Sequence, residues 1–73
     1  MGSMTDSIQI VVNGEARMVA AGVTVADLIR ELGLSKAACA AEVNKKLVPR
    51  REQGTRRLEE KDAVELVTLV GGG

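Results

Sequence analysis

The sequence has no histidine, phenylalanine, tyrosine or tryptophan, and only one cysteine, Cys39. Without histidine the commonest metal ligand and general base is missing, which argues against a self-contained catalyst. A lone cysteine excludes an internal disulfide framework and suits a reducing compartment. The missing aromatics remove the stacking platforms of single-strand nucleic-acid binders. Ten basic and ten acidic residues cancel, so no global field holds a polyanion, and nucleic acid is a poor partner. No apolar run approaches the roughly 20 residues that span a bilayer. The polar start Met1-Gly2-Ser3-Met4 also lacks the form of a signal peptide. A cytosolic (cytoplasmic) protein without a membrane partner is expected.

A chain of 73 residues has room for one domain and one core, near the lower size limit for folding without disulfides or metals. Residues 1–6 read as a disordered N-terminus, with residues 1–3 as a cloning remnant ahead of a natural start at Met4. Residues 7–70 are expected to form the domain and residues 71–73 a flexible glycine tail. A monomer is the default expectation.

Ile8-Gln9-Ile10-Val11-Val12 is rich in β-branched residues and runs into Asn13-Gly14, the dipeptide best suited to the positive φ values of a type I′ turn. The second arm of this hairpin spans Glu15 to Ala20, with Met18 as its expected core residue, and Ala21-Gly22 ends it. Thr24 followed three residues later by Asp27 marks a capped helix start. Val25, Leu28, Ile29 and Leu32 recur at helical spacing. Gly33 should stop this helix after about ten residues, with Leu34 folding back on Ile29.

Cys39, Ala41 and Val43 alternate with Ala40 and Glu42, the period of a strand with one buried face. This third strand is expected over Ala37 to Val43. Asn44-Lys45-Lys46 turns the chain into Leu47-Val48, too short for a full strand and closed by Pro49. Arg50 to Lys61 reads as a polar connection with either a 3₁₀ turn or a short strand around Arg56 to Leu58. Ala63 to Val70 is the last strand, with Val64 and Leu66 opposite the face that carries Glu65, Val67 and Leu69. The fold class is therefore α+β, in two layers: four or five strands carrying one main helix across a single face. The expected core joins the helix stripe to Ile8, Ile10, Met18, Val43, Val64 and Leu66. Lacking aromatics, it relies on aliphatic side chains worth roughly 1.5 to 3 kcal/mol each, set against chain entropy.

The chain closes on Gly71, Gly72 and Gly73. Glycine supplies no packing and frays freely. By position alone, the tail is either a disordered end or an arm slender enough to enter a partner's channel and place its carboxylate against a nucleotide phosphate.

Four stretches go further: the opening strand with Asn13-Gly14, the block Gly22 to Ile29, the block Ala41 to Arg50, and the glycine tail. Together they resemble the ubiquitin-like sulfur carriers of the ThiS/MoaD family over residues 8–73, and the run Asn44-Lys45-Lys46-Leu47-Val48-Pro49-Arg50 is closest to its thiamine-biosynthesis branch. Gly71 departs from the alanine or other small residue common there, while the final pair of glycines is kept. The resemblance implies a ubiquitin-like β-grasp fold with a mixed sheet, and a non-enzyme that serves as substrate to other proteins. A ThiF-type enzyme using ATP and magnesium would adenylate Gly73, and sulfur from a cysteine desulfurase would convert it to a thiocarboxylate. The thiazole synthase ThiG would consume that sulfur. No permanently bound cofactor is implied, and Gly72 and Gly71 would give the reactive end its reach. Two alternatives stay open: a MoaD-like carrier for molybdopterin or another pathway, and a β-grasp binding module whose glycines are incidental.

Among the remaining candidates, Cys39 falls on the inward face of its strand with no histidine to lower its pKa, and reads as structural. Arg50, Arg51, Arg56 and Arg57 with Lys45 and Lys46 form either a docking patch or a solvated loop balanced by Glu52, Glu59, Glu60 and Asp62. Val67 and Leu69 are either partly covered by a neighbouring strand or an exposed apolar strip for docking, and with Arg50 they are the candidate partner-docking residues.

Overall fold

The first hairpin is set by its turn. In the computed structural model, which describes residues 6–34 and 38–69, β1 (Ser7–Val12) and β2 (Glu15–Ala20) are antiparallel and joined by Asn13 and Gly14. Both turn residues have positive φ, 50° and 86°, as a type I′ turn requires. The two-residue loop also decides which side chains share a face: Ile8 pairs with Val19, and Gln9 with Met18. Val19 is therefore the buried residue of β2. Met18, expected in the core, points to the opposite face and is 60% exposed, because a shift of one residue exchanges the faces of a strand.

Helix α1 (Val25–Glu31) begins behind a complete cap. The Asp27 N–H donates to Thr24 Oγ1 at 3.1 Å, and the Thr24 N–H donates to Asp27 Oδ2 at 3.0 Å, the expected capping box. The amides of Val25 and Ala26 donate to the carbonyls of Arg56 and Gln53, so the connection after β4 closes over the free donors of the helix start. At the other end Leu34 N–H donates to Ile29 C=O and Gly33 N–H to Arg30 C=O, with Gly33 at φ 76°. This is a Schellman motif. It stands at Gly33 as expected, but the helix has 7 residues rather than about ten, because Thr24 and Leu32 serve as its caps.

Strands β3 (Ala38–Val43), β4 (Lys46–Val48) and β5 (Ala63–Leu69) complete a five-stranded sheet in the order β2-β1-β5-β3-β4. β1 and β5 are parallel and the other pairs antiparallel. A mixed sheet with one helix across one face is the ubiquitin-like β-grasp fold. Leu47 and Val48 do join a strand, because β3 is present to pair with them. The 3₁₀ turn lies at Arg50–Glu52, not at Arg56 to Leu58, where Arg57 instead makes an isolated bridge to Thr24.

The core lies between helix and sheet, where Val25, Leu28 and Ile29 pack with Ile10, Val43, Val64 and Leu66. Val12, Val19, Ala41 and Val48 extend it, and Ile8 is only partly buried at its margin. Val23 and Leu58 are core residues with no periodic signal around them. The Leu58 N–H donates to Val23 C=O at 2.9 Å, tying the polar connection to the segment before the helix and burying both side chains.

Candidate functional site

β5 is the strand that runs toward the glycines, and it lies in the middle of the sheet, between β1 and β3. Two asparagines hold it there. Asn44 opens the β3–β4 turn at φ 53°; its N–H donates to Ala63 C=O at 2.7 Å, and its Oδ1 accepts from Ala63 N–H at 3.0 Å. Its Nδ2 donates to Asp62 Oδ1 at 2.9 Å, while Asp62 Oδ2 accepts from the Glu59 N–H at 2.8 Å. Both oxygens of this buried carboxylate are thus engaged, as burial of a polar group requires. Asn13 plays the matching part on the other side, accepting from Leu66 N–H and donating to Leu66 C=O.

Alternation along β5 separates its two faces. Val64 and Leu66 point to the helix, while Val67 lies on the outer face and is 58% exposed. Leu47 of β4 shares that outer face at 66% exposure. Between them stand Glu42 and Glu65, paired across β3 and β5, with Leu47 opposite Glu42 and Ala40 opposite Val67. Leu47 was not among the expected docking residues. The available signal was the two-residue turn at Asn44-Lys45, which puts Val48 on the core face and therefore Leu47 outside. Leu69 pairs with Ala38 through its backbone, and its side chain lies outside the described set.

Arg50 is exposed at the start of the 3₁₀ turn. β4 and β5 are both antiparallel to β3, so β4 delivers Arg50 to the end of the sheet from which β5 leaves. Lys45 and Lys46 sit at the other end of β4, about 13 Å away at the usual rise per residue. Arg51 approaches Glu52 at 4.0 Å, and the Arg56 guanidinium donates to Arg57 C=O. Lys45 and Lys46 thus stand at the opposite end of β4 from Arg50 and Arg51, while Arg57 bridges to Thr24, so the basic residues are not gathered on β4 in one patch.

Cys39 is half-buried on β3 beside the core, and desolvation by its apolar surroundings raises its thiol pKa. That is the opposite of what a reactive thiolate needs. The bond from the Thr24 backbone, then that from its hydroxyl, holds the Asp27 carboxyl below its ordinary value; this belongs to the helix cap. Among the described residues no three His, Cys, Asp or Glu side chains converge as metal ligands, and no helix is long and apolar enough to cross a membrane. Gly71, Gly72 and Gly73 lie outside the described residues, as do residues 1–5.

Comparison with known proteins adds what this geometry alone does not carry. The model of the ThiS family matches residues 10–73. The sulfur carrier protein ThiS of Escherichia coli is 32% identical over 66 residues, which cover 90% of this chain and 100% of that protein. A thiazole synthase of Paramagnetospirillum magneticum is 35% identical over 66 residues, covering 90% of this chain but 20% of the synthase. A second, from Magnetococcus marinus, is likewise covered to 20%, so the chain spans about one-fifth of the length of these relatives. The crystal structure of the thiamine biosynthesis protein ThiS from Geobacter metallireducens superposes with a TM-score of 0.76 at 28% identity, covering 90% of this chain and 100% of that one. A family match that takes in nearly the whole chain, a full-length relative above 30% identity and a shared five-stranded fold agree: the chain belongs to the ThiS family.

Proposed function

We propose that this chain is a sulfur carrier in thiamine biosynthesis, acting through the carboxylate of Gly73. The observation that carries the reading is the span of the family match, which runs to residue 73 and so takes in the glycines that follow β5. Glycine is the residue type that lets a chain enter a narrow channel, since no side chain has to be accommodated. The chain is then a substrate rather than an enzyme.

A carboxylate is a poor electrophile because its leaving oxygen is poor. In the proposed sequence a ThiF-type enzyme, using ATP and magnesium bound on that enzyme, lets the Gly73 carboxylate attack the α-phosphorus and expel pyrophosphate. The resulting acyl-adenylate has AMP as a good leaving group. A persulfide supplied through a cysteine desulfurase displaces AMP, and cleavage of the sulfur–sulfur bond by a second thiol leaves the thiocarboxylate on Gly73. A ThiG-type thiazole synthase takes up that sulfur. The similarity to a fifth of two thiazole synthases supports this partner: joining a carrier to its acceptor on one polypeptide replaces a diffusional encounter by a high effective concentration. The exposed Val67 and Leu47 of the outer face, together with Arg50 at the sheet end, are the proposed docking residues, and Leu69 is proposed to act with them. Apolar area left uncovered on a small domain is a common mark of an interface.

The test is to incubate the protein with ATP, magnesium, a ThiF-type enzyme and a persulfide donor and to follow intact mass. Replacement of one oxygen by sulfur at Gly73 is expected. Absence of AMP formation, together with normal thiamine supply in cells whose carrier lacks Gly72-Gly73, would show the reading to be wrong. A variant extended beyond Gly73 should not be loaded, because the reacting group is a free carboxylate.

A further inference from the structure

We infer that Asn13 is a positioning residue for the proposed sulfur loading: its side-chain amide stands in for the missing end of β1 and holds β5 on course toward Gly73. The inference rests on the carrier reading above.

In the parallel β1–β5 pair, main-chain bonds run from Val11 N–H to Asp62 C=O and from Asn13 N–H to Val64 C=O, both at 2.9 Å. The next rung needs an acceptor for Leu66 N–H and a donor for Leu66 C=O. The main chain cannot supply them, because at Asn13 it takes φ 50° and turns away into the hairpin. The Asn13 side chain supplies both: Oδ1 accepts from Leu66 N–H at 2.8 Å and Nδ2 donates to Leu66 C=O at 3.2 Å. A carboxamide carries a donor and an acceptor in one plane, as a peptide group does, whereas a carboxylate offers acceptors only. Glycine would satisfy the positive φ of the turn equally well, but it would leave Leu66 without partners on that side.

Leu66 is the last rung at which β5 is held from both sides. From Val67 onward its partners are Ala40, Cys39 and Ala38 of β3 alone. The Asn13–Leu66 rung is therefore the last restraint on β5 from the β1 side, beyond which the β3 ladder alone holds the strand. A reacting group misplaced by about 1 Å can slow chemistry on the order of a hundredfold, so a frayed last rung should lower the rate within the docked complex rather than weaken docking.

The experiment compares the wild type with Asn13→Gly, which keeps the turn but removes the amide, and Asn13→Asp, which keeps an acceptor and loses the donor. In native-state hydrogen exchange, Leu66 should exchange roughly tenfold faster in Asn13→Gly, with the Leu28 amide unchanged as a control for global stability. In ATP–pyrophosphate exchange driven by a ThiF-type enzyme, with the carrier as varied substrate, kcat should fall by about tenfold or more for Asn13→Gly. Asn13→Asp should lose less, and KM should stay within about twofold for both. A merely destabilised carrier would instead show a raised KM in proportion to its unfolded fraction, with kcat kept. That pattern, or an unchanged kcat in both variants, overturns the inference. If the wild type supports no exchange, the carrier reading falls and the positioning role with it, while the Leu66 amide still reports whether the rung exists.

Discussion

Within β5, Val64 is 1% exposed on the helix side and Val67 is 58% exposed on the other. The residue type is the same and the distance along the strand is small, so what differs is only the cover. Under α1 a buried aliphatic side chain contributes roughly 1.5 to 3 kcal/mol to folding; on the outer face it contributes almost nothing. The outer face also holds Glu42 beside Glu65, a like-charge pair that is mildly unfavourable in a sheet. One face is therefore built for stability, while the other is tolerated by it and free to serve a partner.

That contrast can be broken most sharply from the inside. Ile10→Ala, at a fully buried position, should lower stability by about 2 to 5 kcal/mol, read from the urea midpoint. Replacing Val67 and Leu47 together by serine should leave stability within about 0.5 kcal/mol per site. The same pair should raise the KM of the carrier for a ThiF-type enzyme roughly thirtyfold, equivalent to about 2 kcal/mol of docking energy; an unchanged KM would remove the outer face from the proposed interface.

The helix that covers the inner face depends on its cap. Thr24→Ala should cost about 1 kcal/mol, measured by thermal or chemical unfolding. The Asp27 carboxyl is held below its ordinary value of 3.8, so its contribution is present above that value and lost as pH falls through the lower folded-state pKa. Asp27→Asn should therefore flatten the acid limb of a plot of Tm against pH while leaving the pH dependence near neutrality unchanged. The smallest effect belongs to Met18→Ser. Met18 is on the outer face but on β2, two strands away from β5, and both stability and KM should stay as they are. A large loss of stability there would contradict its placement outside the core.

Much of the fold was legible in short stretches. Asn13-Gly14, the Thr24–Asp27 box and the Gly33 stop each act through the backbone preferences and hydrogen bonds of a few consecutive residues, and each is found where expected. Met18 was misread even though its position followed from the turn: a two-residue loop pairs Gln9 with Met18 and Ile8 with Val19, and bulk is no guide to facing. Of the candidate site, the outward facing of Val67 was readable from alternation. Leu47 needed the parity of a second turn, whose Lys45 at φ 69° carries none of the usual glycine signal.

By itself the sequence determined the element types, the turns, the helix limits to within a few residues and the family resemblance, because all of these reside in neighbouring residues or in a motif such as Asn44 to Arg50. Tertiary structure alone decided that Val23 and Leu58 join the core and that Leu47-Val48 becomes a strand. It also brought two turn asparagines onto β5, Asn13 across 53 residues to Leu66 and Asn44 across 19 to Ala63. Such contacts form only after the chain has closed over long separations, and nothing in the local pattern of residues announces which amide will meet which strand.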